Sequence, residues 1–454
     1  MNMKTQFIAL SLCLLAFCSV VEAKVSSRKS SNFNREWKYM RGDHQGAEQI
    51  IYDDSGWEQV GLPHSFSIPY FMSKDFYTGY GWYRKSLKLT ENELSQRIFL
   101  EFDGVFQEAE IFINAKPAGN HVGGYTGFSI DISSLVQAGD NMLAVRVNNC
   151  WKSNVAPRAG EHVFSGGIYR NVRLVMKSPV HIDWYGTFVT TPDLGKNQGK
   201  SSSVKIETDV CNTSEKEGIY RLLTQVLSPD GKVIASVETK EAIAARSSRK
   251  FSQATRTLNN PQLWSLSAPV LYKVVSKLYQ GKQLMDEDET TFGFRWFEWT
   301  ADRGFFLNGE HLYFKGTNVH QDQAGWGDAV TEAAMYRDVS MMKEAGFDLI
   351  RGSHYPHAPA FSRACDELGM LFWSEAPFWG IGGYKPDGYW NSSAYPVNKA
   401  DEADFAKRAL QRSLEIIHNH PNQSSIAVWS VRNGAFFFAP GATAGGGGLL
   451  NRQV

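Results

Sequence analysis

The stretch that decides the fold runs from Leu312 to Gly380. It reads LYFKGTNVHQDQAGWG at 312–327, FDLIRGSHYPHA at 347–358 and LFWSEAPFWG at 371–380. Each run carries an apolar, β-rich core, the composition of a strand buried on both faces. Each closes on polar and aromatic residues: Asn318, His320 and Asp322; then Arg351, Ser353, His354 and Tyr355; then Glu375 and Trp379. Segments of helical period separate the runs. Strand and helix therefore alternate, with reactive side chains at the C-terminal end of every strand. A (β/α)8 barrel builds its site in this way.

The same alternation sets the helices. Met335, Val339 and Met342 predict a helix over 331–345, stopped by Gly346. Pro359 near the start, a face of Phe361, Cys365 and Leu368, and Gly369 at the end predict a second over 358–368. A third covers about 402–418, with Ala406, Leu410, Leu414 and Ile417 expected inward. A fourth strand lies at 425–431, and a glycine-rich stretch follows. Four strands and three helices after residue 300 fall short of the roughly 250 residues of a whole barrel. The expectation is the first half of a TIM barrel over 300–454.

Upstream, the pattern is β throughout. Residues 33–178 hold short alternating strands, for example at 97–102 and 142–147, punctuated by Asp103-Gly104 and Gly139-Asp140-Asn141. They read as an all-β jelly-roll sandwich. Residues 180–298 repeat the pattern around a Ser-Pro-Asp-Gly turn at 228–231 and suit an immunoglobulin-like sandwich. The chain is thus multidomain.

Lys plus Arg and Asp plus Glu both number 47. No basic stripe points to nucleic acid, and no such partner is expected. The aromatic content of 13% suits sugar stacking as well as sandwich cores and separates neither. Residues 1–23 read as a signal peptide: Lys4, an apolar run from Phe7 to Val21, and Val21-Glu22-Ala23 as the exit. Export to a periplasm or beyond is expected. A lipoprotein signal through Leu15-Ala16-Phe17-Cys18 is weaker, because Phe17 is large. No later segment reaches the length of a membrane span, and residues 24–32 read as a loose leader. Cys150, Cys211 and Cys365 are odd in number and far apart, so buried free thiols are expected rather than a disulfide set or metal site.

Several motifs resemble family 2 glycoside hydrolases. Trp57 with Leu62-Pro63-His64, residues 79–85 (GYGWYRK), Gly123-Gly124-Tyr125-Thr126 with Phe128, and residues 165–172 (SGGIYRNV) are similar to that family's N-terminal sugar-binding jelly roll. Asn114-Ala115 departs from it, since the family turns there through Asn-Gly. Both central residues of that turn need φ > 0, so Ala115 is expected to strain it or shift its type. Residues 260–265 (NPQLWS) and 292–295 (FGFR) resemble the closing signatures of the second domain.

The resemblance implies a retaining hydrolase, with two carboxyl groups roughly 5 Å apart. It places the acid/base Glu directly after an Asn at the end of strand four, and the nucleophile on strand seven. Residues 429–434 (WSVRNG) match the strand-four motif, with Asn433 as a sugar contact, but Gly434 stands at the acid/base position. No strand seven is legible. The resemblance makes Arg351 the support of a catalytic carboxylate and His354 a sugar contact. His320 and Asp322 are expected to line the pocket. Glu375 reads as a pocket or ion-pair residue with Arg351 as partner, and Trp379 as either a stacking wall or plain packing. His357 and His311 are read as ordinary core or surface histidines. No metal and no other cofactor is expected: some relatives hold Mg2+ through a Glu shortly after strand three, where Trp379 lies here. The implied substrate is a carbohydrate, and the implied parent a β-galactosidase-like enzyme of polysaccharide fragments, inactive as this chain. A β-glucuronidase, a β-mannosidase or a non-catalytic carbohydrate-binding fragment stay open, as does the oligomeric state.

Overall fold

The computed structural model describes residues 28–69, 76–156, 165–378 and 396–431. The first domain packs a six-stranded antiparallel sheet on a four-stranded one. Strands Glu108–Ile113 and Gly139–Asn148 turn Ile111, Ile113, Val145 and Val147 inward, against Leu100, Phe102, Val172 and Leu174 of Arg97–Phe102 and Val172–Lys177. Period-two alternation thus builds the core. Part of the expected loose leader is ordered: Lys29–Asn32 pairs antiparallel with Val172–Lys177. Just before it, Arg28 donates to Asp286 and Asp288 of the second domain. The Asn114-Ala115 turn keeps its type without glycine: φ is 50° at Asn114 and 68° at Ala115, both left-handed. The Asn114 side chain holds it, donating to Asn141 Oδ1 at 2.8 Å and accepting from Met142 N at 2.9 Å.

The second domain faces Val180–Thr190, Lys205–Asn212 and Ser247–Ala254 with the four-stranded sheet of Val233–Ile243, Gly218–Leu227, Tyr272–Gln280 and Gln283–Phe292. Ile206, Val226 and Val274 fill one end of this sandwich, and Ile182, Leu222 and Phe251 the other.

In the third domain Gly316–Val319, Leu349–Gly352, Leu371–Glu375 and Ile426–Ser430 form a four-stranded parallel sheet in chain order. Helices α1 (Glu332–Glu344), α2 (Pro359–Leu368) and α3 (Glu402–Asn419) are the expected connections. Thr331 caps α1 by accepting from Ala334 N, and Gly369 at φ 70° ends α2. Ile350, Phe372 and Ile426 point outward onto Val339, Phe361 and Cys365. Below the sheet, Phe305 and Leu307 of strand Gly304–Leu307 close the floor with Trp264 and Leu371.

Two expectations need correction. The strands are not buried on both faces: Gly316 and Asn318 are exposed, and Leu349, Arg351 and Trp373 only half-buried, because the concave side of a four-stranded sheet stays open. The inward face of α3 is also shifted. Phe405, Ala409, Arg412, Ser413, Ile416 and Asn419 are buried, while Leu414 is 51% exposed. Polar docking onto the jelly roll turns the helix: Arg412 donates to Ala156 O, Asn419 to Gly127 O at 3.1 Å, and Glu415 accepts from Thr126 at 2.5 Å. The cysteines at 150, 211 and 365 are unpaired; Cys365 is buried and the other two half-buried. Among the described residues no helix is long and apolar enough to cross a membrane.

Candidate active site

Parallel pairing puts strand tips side by side. Asn318 lies opposite Arg351, and Arg351 opposite Trp373, so these three share the concave face. Two residues beyond Trp373, Glu375 faces the same way. It is 1% exposed and occupied at both oxygens. Arg351 donates to Oε1 from Nε at 2.8 Å and from Nη2 at 2.6 Å, and His354 Nδ1 lies 2.8 Å from Oε2. A carboxylate can only accept, so His354 carries its hydrogen on Nδ1. Glu375 therefore orients a guanidinium and an imidazole, as expected of an ion-pair residue. Its burial and full occupation leave it unsuited to proton transfer with a substrate.

His320 follows the first strand, with its ring 5.6 Å from His354 and nearly perpendicular at 81°. Burial and the neighbouring His354 hold its pKa below the ordinary imidazole value, so the ring is neutral near pH 7. Asp322 is exposed on the following loop, close enough to act on His320 electrostatically. His320, Asp322, Arg351, His354 and Glu375 thus converge on one rim. Trp379, Asn433 and Gly434 lie outside the described residues. His357 is a core residue, 2% exposed between Tyr355 and Phe361, and burial pushes its pKa down to about 3. His311 is exposed on the far side of the floor. Among the described residues no three His, Cys, Asp or Glu side chains gather as a metal site.

Sequence reasoning missed the layer behind this rim. The hydroxyl of Tyr355 sits 3.1 Å from His320 Nδ1 and accepts from Gln321 N at 3.2 Å. Its ring stacks on Tyr125 of the jelly roll, centroids 4.2 Å apart and 9° from parallel. Arg170, also of the jelly roll, donates from Nη2 to Gln321 Oε1 at 2.7 Å and Pro356 O at 2.8 Å, and from Nη1 to Tyr125 O. Ser165 accepts from Asp328 N, and burial pushes the Asp328 carboxyl up to about 6. The jelly-roll motifs at 123–128 and 165–172 are therefore seam pieces. Gly124 has no room for a Cβ, which would stand 2.1 Å from the Phe106 ring. A signal existed: Tyr355 falls inside the Arg351–Pro356 run, and both motifs hold a tyrosine within two residues of a glycine pair.

The chain is similar to known proteins along nearly its whole length. Residues 43–179 match the sugar binding domain of glycosyl hydrolases family 2, residues 180–295 the family's second domain, and residues 300–444 its TIM barrel domain. A β-glucuronidase of Bacteroides fragilis is 31% identical over 431 residues, 93% of this chain and 58% of the relative. A β-galactosidase of Bacteroides ovatus is 31% identical over 420 residues, 90% of this chain and 47% of the relative. The solved structure of a Bacteroides uniformis β-glucuronidase superposes with a TM-score of 0.81 at 32% identity, covering 88% of this chain and 46% of that one. The chain thus spans about half the length of the relatives it matches.

Proposed function

Since the chain belongs to glycosyl hydrolase family 2, whose members hydrolyse O-glycosidic bonds, we propose that its barrel rim is the sugar-binding part of a retaining β-glycosidase site. The reading closest to the motifs is β-galactosidase-like, acting on terminal β-glycosides of polysaccharide fragments by double displacement. One observation carries it. Glu375, sealed between Arg351 and His354, fixes two polar groups at the tip of the neighbouring strand, next to His320. Pre-oriented donors and acceptors of this kind suit a ring of hydroxyl groups. His320, Arg351, His354 and Asp322 line this subsite, with Trp379 and Asn433 completing it.

The reading extends to catalysis and location. Gly434 holds the place of the acid/base and has no proton to give, so no turnover of glycosides is expected of this polypeptide. Its first 23 residues direct export. A second reading, a β-glucuronidase parent, is favoured by the names of the Bacteroides fragilis and Bacteroides uniformis relatives. The test uses the purified full chain with nitrophenyl β-galactoside and β-glucuronide. No turnover of either is expected, with calorimetric binding of one of the matching thioglycosides. Measurable turnover would refute the inactivity, and silence in calorimetry towards both sugars would remove the sugar subsite. Preference between the two ligands separates galactosidase from glucuronidase descent.

A further inference from the structure

We propose that the cavity where the three domains meet is a saccharide site that takes a neutral pyranose. It encloses about 380 Å³ and shares no residue with the barrel rim, so it does not depend on the sugar subsite proposed there.

All three domains wall the cavity. The jelly roll supplies Glu101 and Arg173, the second domain Trp184, Tyr185 and Asp288, and the barrel Arg363 of α2. Its size falls within the roughly 300–1,000 Å³ of small-molecule sites, which form preferentially between domains. An ordinary seam holds only water, and three features set this one apart.

The first is a distorted backbone. Strand Val180–Thr190 pairs with Lys205–Asn212 at Ile182–Val210 and again at Thr187–Thr208, so residues 183–186 stand opposite Asp209 alone. Bulges re-aim side chains, and this one carries Trp184 and Tyr185 to the cavity wall, their rings 4.8 Å apart. Tyr185 sits at φ 51°, a left-handed conformation costly for a bulky residue. Glycine would be the unstrained choice there, and the chain carries tyrosine.

The second is unspent hydrogen-bonding capacity. Glu101 is 6% exposed, and its side chain accepts no hydrogen bond from a described residue; Arg173 Nε and Lys177 Nζ each stand 3.6 Å away. The Tyr185 hydroxyl lies close enough to Glu101, Arg173 and Arg363 to act on each electrostatically, and it too is hydrogen-bonded to no described residue. A buried carboxylate without a donor is costly, and a ligand hydroxyl supplies one.

The third is charge balance. Arg28, Arg173 and Arg363 face Glu101, Asp288 and Glu289, which favours a neutral ligand over an anion or a cation. Mixed donors and acceptors suit hydroxyl groups, each of which is both. Two aromatic rings suit the apolar face of a pyranose.

The test reads the cavity directly. The full chain is labelled with fluorotryptophan, and the Trp184 resonance is assigned by its loss in Trp184→Phe or, should that not fold, in Trp184→Tyr. Methyl β-galactoside and methyl β-glucoside should each shift that resonance along a saturating curve, with methyl β-glucuronide about tenfold weaker. Tyr185→Phe keeps the ring; it should weaken both neutral sugars about fivefold and leave the melting temperature unchanged. Glu101→Gln, with a loss of about tenfold, serves if that variant does not fold. A Trp184 resonance unmoved by both neutral sugars overturns the proposal. So does a glucuronide that binds equally well, or a folded variant that binds as the wild type does. Thioglycoside binding at the rim is read separately by calorimetry, and its failure leaves a saturating Trp184 shift standing.

Discussion

A carboxylate buried as fully as that of Glu375 persists because both of its oxygens are occupied. Removing a partner should cost more than the pair contributes. Arg351→Ala leaves a buried charge with one imidazole, and we expect a loss of about 3 kcal/mol. The double change Arg351→Met with Glu375→Leu should restore most of it, since the charge leaves with its partner. Urea unfolding of the three proteins checks this; a double variant no better than Arg351→Ala would refute it. The pairing of Arg351 with Glu375 was legible because each residue ends an apolar run, a pattern local in sequence. Tyr355 shares the motif but takes its place from Tyr125, 230 positions earlier in the chain, and local pattern carries no trace of that contact.

At the scale of elements, the Asn114-Ala115 hairpin turn shows what side-chain hydrogen bonds can hold. Both residues adopt left-handed φ, which costs a non-glycine residue such as Ala115 about 1–2 kcal/mol. Asn114, clasped to Asn141 and Met142, keeps the turn in spite of that cost. Ala115→Gly should raise stability by about 1 kcal/mol, the strain relieved less the entropy glycine adds to the unfolded chain. Equilibrium denaturation measures it, and a loss of stability would show that the alanine packs to advantage. The helices teach a related lesson. Their spans followed from period and caps, with α2 beginning at Pro359 and ending at Gly369, where a Cβ would stand 2.5 Å from Leu266 O. The buried face of α3 did not follow, because Arg412, Glu415 and Asn419 look like a solvent stripe until the jelly roll lies against them.

Across the whole molecule, apolar side chains fill each domain, and polar bonds join the domains beside apolar contacts such as the Tyr125–Tyr355 stack and the packing of Trp264 against Leu371. Trp264 of the second domain donates to Asp366 O in α2, Arg295 donates to Ser424 O, and the Asp366 carboxylate accepts from Ser425 N at 2.7 Å. Burial pushes the Asp366 carboxyl up to about 7, against the helping Ser425 hydrogen bonds and Arg295. A carboxyl whose pKa rises on folding holds its proton longer in the native state. Its contribution is favourable at low pH and declines as pH climbs from near 4, where the unfolded chain ionises, to near 7, where the folded one does. The seam histidine His420, pushed down to about 3 by burial, works in the other direction between 3 and 6.5. The wild-type profile therefore sums opposing slopes, and only a difference isolates one group. Asp366→Asn keeps the acceptor for Ser425 N and abolishes the titration. The melting temperature of the variant minus that of the wild type should rise from pH 4 to pH 7 and then level off. Melts at half-unit steps from pH 4 to 8 decide it: a difference that is flat or falls over that interval would mean that Asp366 ionises in the folded junction as easily as in the open chain.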